Sequence, residues 1–235
     1  MSSLLLKLAG PLQAWGSQSR FTQRGTETEP TKSGVIGLVA SALGLQRGEP
    51  LGELAELDFA VRVDQPGRLI RDYQTAIDWK ATSKNDRNPK LSTRFYLSDA
   101  VFLAALGGDR DLLLGLEEAL RSPRYPLFLG RRSCPAPVDL VLGLRDGSPA
   151  DALREEPWEA GKAHRKSRLK RVALPILRDA AAGESGDRRR DVPVSFSQEQ
   201  RIHEWREVVP DEPASIENAE GRERRDSFFE AVARA

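Results

Sequence analysis

Two apolar runs constrain this chain most. Leu4-Leu5-Leu6-Lys7-Leu8-Ala9 is almost unbroken, and Val101-Phe102-Leu103-Ala104-Ala105-Leu106 is unbroken. A strand that is apolar at consecutive positions, rather than alternate ones, is covered on both faces. The two runs therefore predict buried strands of one sheet, the first ended by Gly10-Pro11. Between them Val35, Ile36, Val39, Ala42 and Leu43 recur at helical spacing, with Ser33 as the expected N-cap and Gly44 as the stop. After the second run, Asp109 or Asp111 caps a helix whose apolar face is Leu112, Leu113, Leu116, Ala119 and Leu120, ended by Ser122-Pro123.

The rest of the first 145 residues fills in around this frame. Leu51 to Leu57 suggests a short helix. Phe59, Val61 and Val63 alternate with Ala60, Arg62 and Asp64 as in a strand, and Gly67 turns the chain into another over 68–75. Residues 76–92 have no apolar period and read as a long excursion from a hairpin, with strand character resuming over 93–97. A last strand is expected over 138–142. The order reduces to βαββαβ, a ferredoxin-like α+β domain over residues 1–145 with a thumb-like hairpin excursion. Residues 146–235 are richer in Gly, Pro and charge and read as a small appended region. It holds short strands over 192–196 and 203–209, and over 217–235 either a charged helix with Phe228, Phe229 and Val232 on one side or a frayed tail.

Composition narrows the function classes. No apolar run approaches the roughly 20 residues of a membrane helix, and the mean hydropathy is −0.48. A single cysteine, Cys134, excludes an internal disulfide framework and fits a cytoplasmic protein. It reads as a small buried filler. Two histidines, His164 and His203, are too far apart to suggest a zinc site, and no cofactor motif is present. Net charge is only +1, but residues 162–171 hold six Lys/Arg and no acid, whereas 201–235 carry −3. Segregated charge leaves room for a local phosphate-binding surface. Of the 36 basic residues 28 are Arg, which suits bidentate phosphate contacts or follows from codon usage.

Four places carry candidate chemistry. Gly10-Pro-Leu-Gln-Ala-Trp-Gly16 is a sharp turn that either presents Gln13 and Trp15 to a base or protein partner or folds Trp15 over the core. Thr31-Lys32-Ser33-Gly34 is either a phosphate cradle at a helix start or an ordinary cap, and it lacks Walker spacing. In 123–135, Tyr125, Gly130, Arg131, Arg132 and Ser133 combine cations, an aromatic and a glycine with no acid, as single-stranded nucleic acid requires. The excursion carries Lys80, Lys84 and Arg87 beside Trp79, as a solvated loop or a finger gripping a backbone. Catalysis has little support: neither histidine sits in a nucleophile–base pattern. An RNA-recognition signature is absent, so loops rather than sheet aromatics would bind RNA.

In this order, GPLQAWG, TKSGVIGLVASALG, LIRDYQT and PRYPLFLGRRSCP resemble the CasD family of type I-E CRISPR Cascade subunits, within the repeat-associated mysterious protein (RAMP) superfamily; VPVSFSQEQRIHEWREVV matches more loosely. The resemblance implies a non-catalytic RNA-binding subunit that caps the 5′ handle of CRISPR RNA in antiviral defence. It also implies contacts with the backbone and large subunits, with target DNA engaged only indirectly and no membrane partner. By position it places Gln13 and Trp15 near the handle, Lys32, Ser33 and Gly34 on phosphate, and Tyr125 and Gly130 to Ser133 against RNA. Residues 76–92, with Lys80, Lys84 and Arg87, fall at the thumb. The alternative is a metal-independent repeat-processing endoribonuclease, for which Tyr73, Tyr96 or Tyr125 would need Lys162 and His164 as partners.

Overall fold

The computed structural model describes residues 1–16, 19–20, 22–77, 79–80, 82–83, 88–197, 199 and 201–223. The elements run in chain order β1 (Ser2–Ala9), β2 (Leu12–Gln13), β3 (Ser19–Arg20), β4 (Gln23–Arg24), α1 (Lys32–Leu43), a 3-10 turn (Gly52–Ala55), β5 (Asp58–Gln65), β6 (Arg68–Ala76), β7 (Lys90–Ser98) and β8 (Val101–Gly108). Then follow α2 (Arg110–Arg121), β9 (Val141–Asp146), α3 (Pro149–Glu155), α4 (Lys162–Ser167), β10 (Arg171–Asp179), β11 (Asp187–Ser195) and β12 (Ile202–Glu217). The result is a mixed α+β fold dominated by an antiparallel sheet.

Seven strands form the main sheet in the order β11-β12-β10-β5-β8-β1-β9. The two apolar runs, β1 and β8, lie side by side from Ser2↔Gly108 to Ala9↔Val101. Their side chains divide between two cores, which explains why both strands are apolar throughout. Leu4, Leu6, Leu8, Phe102, Ala104 and Leu106 face a core shared with α1 and α2. Leu5, Leu103 and Ala105 face a second core closed by Leu153 of α3, Trp158, Leu174 and Ile176. Complete burial of a leucine is worth about 1.5–3 kcal/mol, so these strands anchor the molecule.

Local signals explain most boundaries. Gly44 closes α1 in the left-handed region at φ 85°, and Asp109 caps α2 by accepting from the amides of Asp111 and Leu112. The cap of α1 is Thr31 rather than Ser33: its hydroxyl accepts from Gly34 N at 3.2 Å, and Ser33 falls inside the first turn. The last strand of the N-terminal part begins at Val141, not at 138, because Pro135 and Pro137 hold the chain in an irregular loop up to Leu140. A second, smaller sheet is built on the hairpin β6–β7, paired from Arg68↔Ser98 to Ala76↔Lys90, with β2 and β4 alongside β7.

Residues 146–223 are not a separate small unit. Strand β10 pairs with β5 at Ile176↔Arg62, Leu177↔Val61 and Arg178↔Ala60, so β10, β12 and β11 extend the main sheet. The short strands expected over 192–196 and 203–209 are parts of β11 and of the 16-residue β12. The helix or tail expected over 217–235 lies outside the described residues from 224 onward.

Candidate nucleic-acid interface

The chain leaving β1 is held on both sides. Ala14 N donates to Leu129 O, Trp15 N donates to Thr26 Oγ1 at 2.8 Å, and Glu27 N donates to Trp15 O. This path buries the two side chains that the turn was expected to present. Gln13 is fully buried: its amide donates to Leu8 O and Ala100 O, and its Oε1 accepts from Trp15 Nε1 at 3.0 Å. Trp15 is 1% exposed and lies under the start of α1. A Cβ on Gly34 would stand 2.8 Å from the indole, so only glycine lets the helix sit there. These residues therefore shape the loop and offer no polar side-chain atom at the surface.

The helix start is also not an open phosphate cradle. Lys32 is 6% exposed; its amide donates to Asp191, and its Nζ pairs with Asp179 at 3.0 Å. Arg206 completes the set, bonding both carboxylates. Burial would hold the Asp191 carboxyl in its neutral form, but the Arg206 guanidinium and the Lys32 amide outweigh it and keep its pKa below the ordinary value. The ammonium that would meet phosphate is thus neutralised by Asp179, 147 residues away, while Asp191 holds the backbone of the same residue.

The arginine loop behaves differently. Gly130, at φ 88°, packs so tightly on Ala14 that a Cβ would stand 1.8 Å from its carbonyl oxygen. Arg131 crosses from this loop to the small sheet, donating to the carbonyls of Phe95, Arg24 and Gly25, with its guanidinium 4.6 Å above the Tyr96 ring. Among the described residues no carboxylate pairs with it. Burial would push the Tyr96 hydroxyl up, but hydrogen bonding with Ser133, Arg131 and Arg94 pulls it below its usual value. Arg132 and Ser133 are exposed, and Cys134 is fully buried, with burial pushing its thiol up. Tyr125 is half exposed and accepts from Gln46 Nε2 at 2.7 Å, away from this cluster.

These segments enclose a groove of about 730 Å³. Its lining joins Trp15 and Gly16 to Thr31, Ser33 and Gly34, and these to Gly130 and Arg131. Arg24, Gly25, Phe196, Arg201 and His203 complete it. Three of the four predicted segments therefore meet, although 115 residues separate the first from the third. The last five residues were not anticipated; Phe196, Arg201 and His203 fall in the stretch VPVSFSQEQRIHEWREVV, and Arg24 and Gly25 lie in the polar loop before α1. Burial, with the charges of Arg201 and Arg190, pushes the His203 pKa down, which leaves its imidazole neutral near pH 7. Among the described residues no Asp or Glu lines the groove. The volume is in the range that holds a ligand of nucleotide size.

The fourth segment stands apart on the hairpin β6–β7. Trp79 is 80% and Tyr73 64% exposed. Lys80 is exposed, and Lys84 and Arg87 lie outside the described residues. His164 packs edge-on against Trp158 and accepts from Arg168. Among the described residues, no hydrogen bond joins it to a tyrosine. No cluster there could hold a metal ion, and no helix is long and apolar enough to cross a membrane.

The combination of this sheet with a cation-lined groove between its loops defines a protein class. The CRISPR-associated protein (Cas_Cas5) family matches residues 3–209, and the chain belongs to it. It is 38% identical over 169 residues to the CRISPR system Cascade subunit CasD of Escherichia coli (strain K12), covering 65% of this chain and 75% of that one. A chain of a CRISPR RNA-guided surveillance complex superposes with a TM-score of 0.77 at 29% identity, covering 98% of both chains. A crystal structure of a Cas protein superposes with a TM-score of 0.67 at 36% identity, covering 94% of this chain and 98% of that one.

Proposed function

We propose that this chain is a non-catalytic RNA-binding subunit of a type I-E Cascade surveillance complex, acting in the cytoplasm in antiviral defence. The observation that carries this reading is the 730 Å³ groove, lined by Arg24, Arg131, Arg201 and His203 with no Asp or Glu among the described residues of its wall. Its similarity to CasD and to a chain of an RNA-guided surveillance complex supplies the context. In this reading the groove holds the 5′ handle of CRISPR RNA. Arginines neutralise phosphates, and the rigid Gly130–Ser133 loop sets the path. Sequence is read elsewhere by guide pairing, so this subunit needs shape and charge rather than base specificity.

The sheet order fits the same family reading. Taken alone, β9-β1-β8-β5 has the 4-1-3-2 order of a ferredoxin-like unit, with α1 and α2 as its crossovers. The hairpin β6–β7 is then the thumb, carrying Tyr73, Trp79 and Lys80 away from the body toward the RNA and the adjoining backbone subunit.

The test is titration of the full chain with single-stranded RNA carrying the repeat-derived 5′ handle. The pair Arg24→Ala and Arg201→Ala is expected to weaken binding about tenfold or more and to lower the salt dependence by about one to two released ions. Unchanged affinity would remove the groove from the mechanism. Site-specific cleavage of repeat RNA by the pure chain without metal, lost on His164→Ala, would instead favour the endoribonuclease.

A further inference from the structure

Strand β12 leaves the groove at His203 and carries its next residue on the same face, Trp205, into solvent. Alternate residues of a strand share a face about 7 Å apart. Trp205 is 55% exposed, and the guanidinium of Arg188, reaching across from β11, lies 5.0 Å from its ring centroid. Arg190 is exposed between them and the groove, its Nε donating to His203 O at 3.0 Å. Among the described residues no salt bridge engages Arg188, Arg190 or Arg201. On β12 itself the exposed Ile202 and Glu204 fall on the opposite face by strand alternation. Glu207 shares the Trp205 face, but its carboxylate accepts from Gly186 N. The indole thus has one guanidinium against its ring and a second arginine close by on the neighbouring strand. That setting suits a partner with a flat π-face and negative charge, a nucleotide, better than a protein side chain.

We propose that Trp205 and Arg188 form a second nucleotide contact. Single-stranded RNA leaving the groove past His203 stacks one base on Trp205, its phosphate facing Arg190. This rests on the groove holding RNA and extends it to a sheet surface that no loop supplies.

The experiment compares Trp205→Ala, Trp205→Phe and Arg188→Ala in the full chain, using the 5′-handle RNA and a uridine homopolymer of equal length. Loss of a base stack predicts about 5- to 100-fold weaker binding for Trp205→Ala, with salt dependence unchanged because no charge is removed. Trp205→Phe should recover most of the loss, and Arg188→Ala should lower the salt dependence by about one ion. An unchanged thermal midpoint shows that the variants fold. If Trp205→Ala binds as wild type while Arg24→Ala/Arg201→Ala does not, the second contact is overturned and the groove stands. If Trp205→Ala binds RNA normally but fails to enter Cascade, the surface serves a protein neighbour and the proposal is also overturned. If neither set alters binding, the groove reading itself has failed.

Discussion

Single residues decide whether the groove can exist. Gly130 occupies a backbone region that costs other residues about 1–2 kcal/mol, and a side chain there would collide with the Ala14 carbonyl. Gly130→Ala is expected to lower stability by more than about 2 kcal/mol, read from the urea midpoint, and to weaken RNA binding by displacing Arg131. Gly115 offers the opposite case. It is exposed within α2, and a Cβ there would meet nothing within 4 Å. Gly115→Ala should raise stability by about 0.5–1 kcal/mol, since alanine loses less backbone freedom on folding. In the sequence both are simply glycines; only the contact made by one of them separates structure-breaking from stabilising substitution.

Among the elements, α1 and the hairpin β11–β12 are joined by charge. Asp191 bonds both the Lys32 amide and Arg206, and Asp179 bonds Lys32 Nζ and Arg206. This clasp holds Phe196, Arg201 and His203 against the start of α1, and so closes the groove. Removing one partner of a buried ion pair costs about 3–5 kcal/mol. Asp191→Ala should fall near the lower figure, because Asp179 still partners Arg206. The pH dependence follows from the depressed Asp191 pKa. Its stabilisation is complete above the unfolded value of about 3.8 and is lost as pH falls through the lower folded value. Urea midpoints measured from pH 7 down to 3 should fall in wild type below about pH 4, and that part of the fall should be missing in Asp191→Ala. An identical profile in the variant would show that another carboxylate controls acid unfolding.

At the scale of the whole molecule, α3 and the Trp158 segment close one face of the sheet that β10, β12 and β11 extend. Leu5, Leu103 and Ala105 depend on Leu153, Trp158, Leu174 and Ile176 for cover, and Arg62 reaches the carbonyls of Leu153, Glu156 and Pro157 from its pair with Asp64. The chain should therefore unfold in one transition, with near-ultraviolet and far-ultraviolet circular dichroism superposing. Two separated transitions would show that residues 146–235 fold as a unit of their own. What the amino-acid order alone determined was local. Apolar runs demanded doubly covered strands, helical spacing marked α1 and α2, and glycine, aspartate and proline marked their ends, because each of these depends on neighbours within a turn or a strand. The motifs of the three groove segments were also legible, as was the family they resemble. Tertiary structure alone decided which charges stay open. The Lys32 ammonium is quenched by Asp179, while the Arg131 guanidinium is held by carbonyls and the Tyr96 ring. Tertiary structure also decided that His203 joins the groove and that β10 extends the sheet. Those outcomes depend on partners far away in the chain, from Phe95 for Arg131 to Asp179 for Lys32, and neither periodicity nor composition encodes which distant partner a side chain will meet.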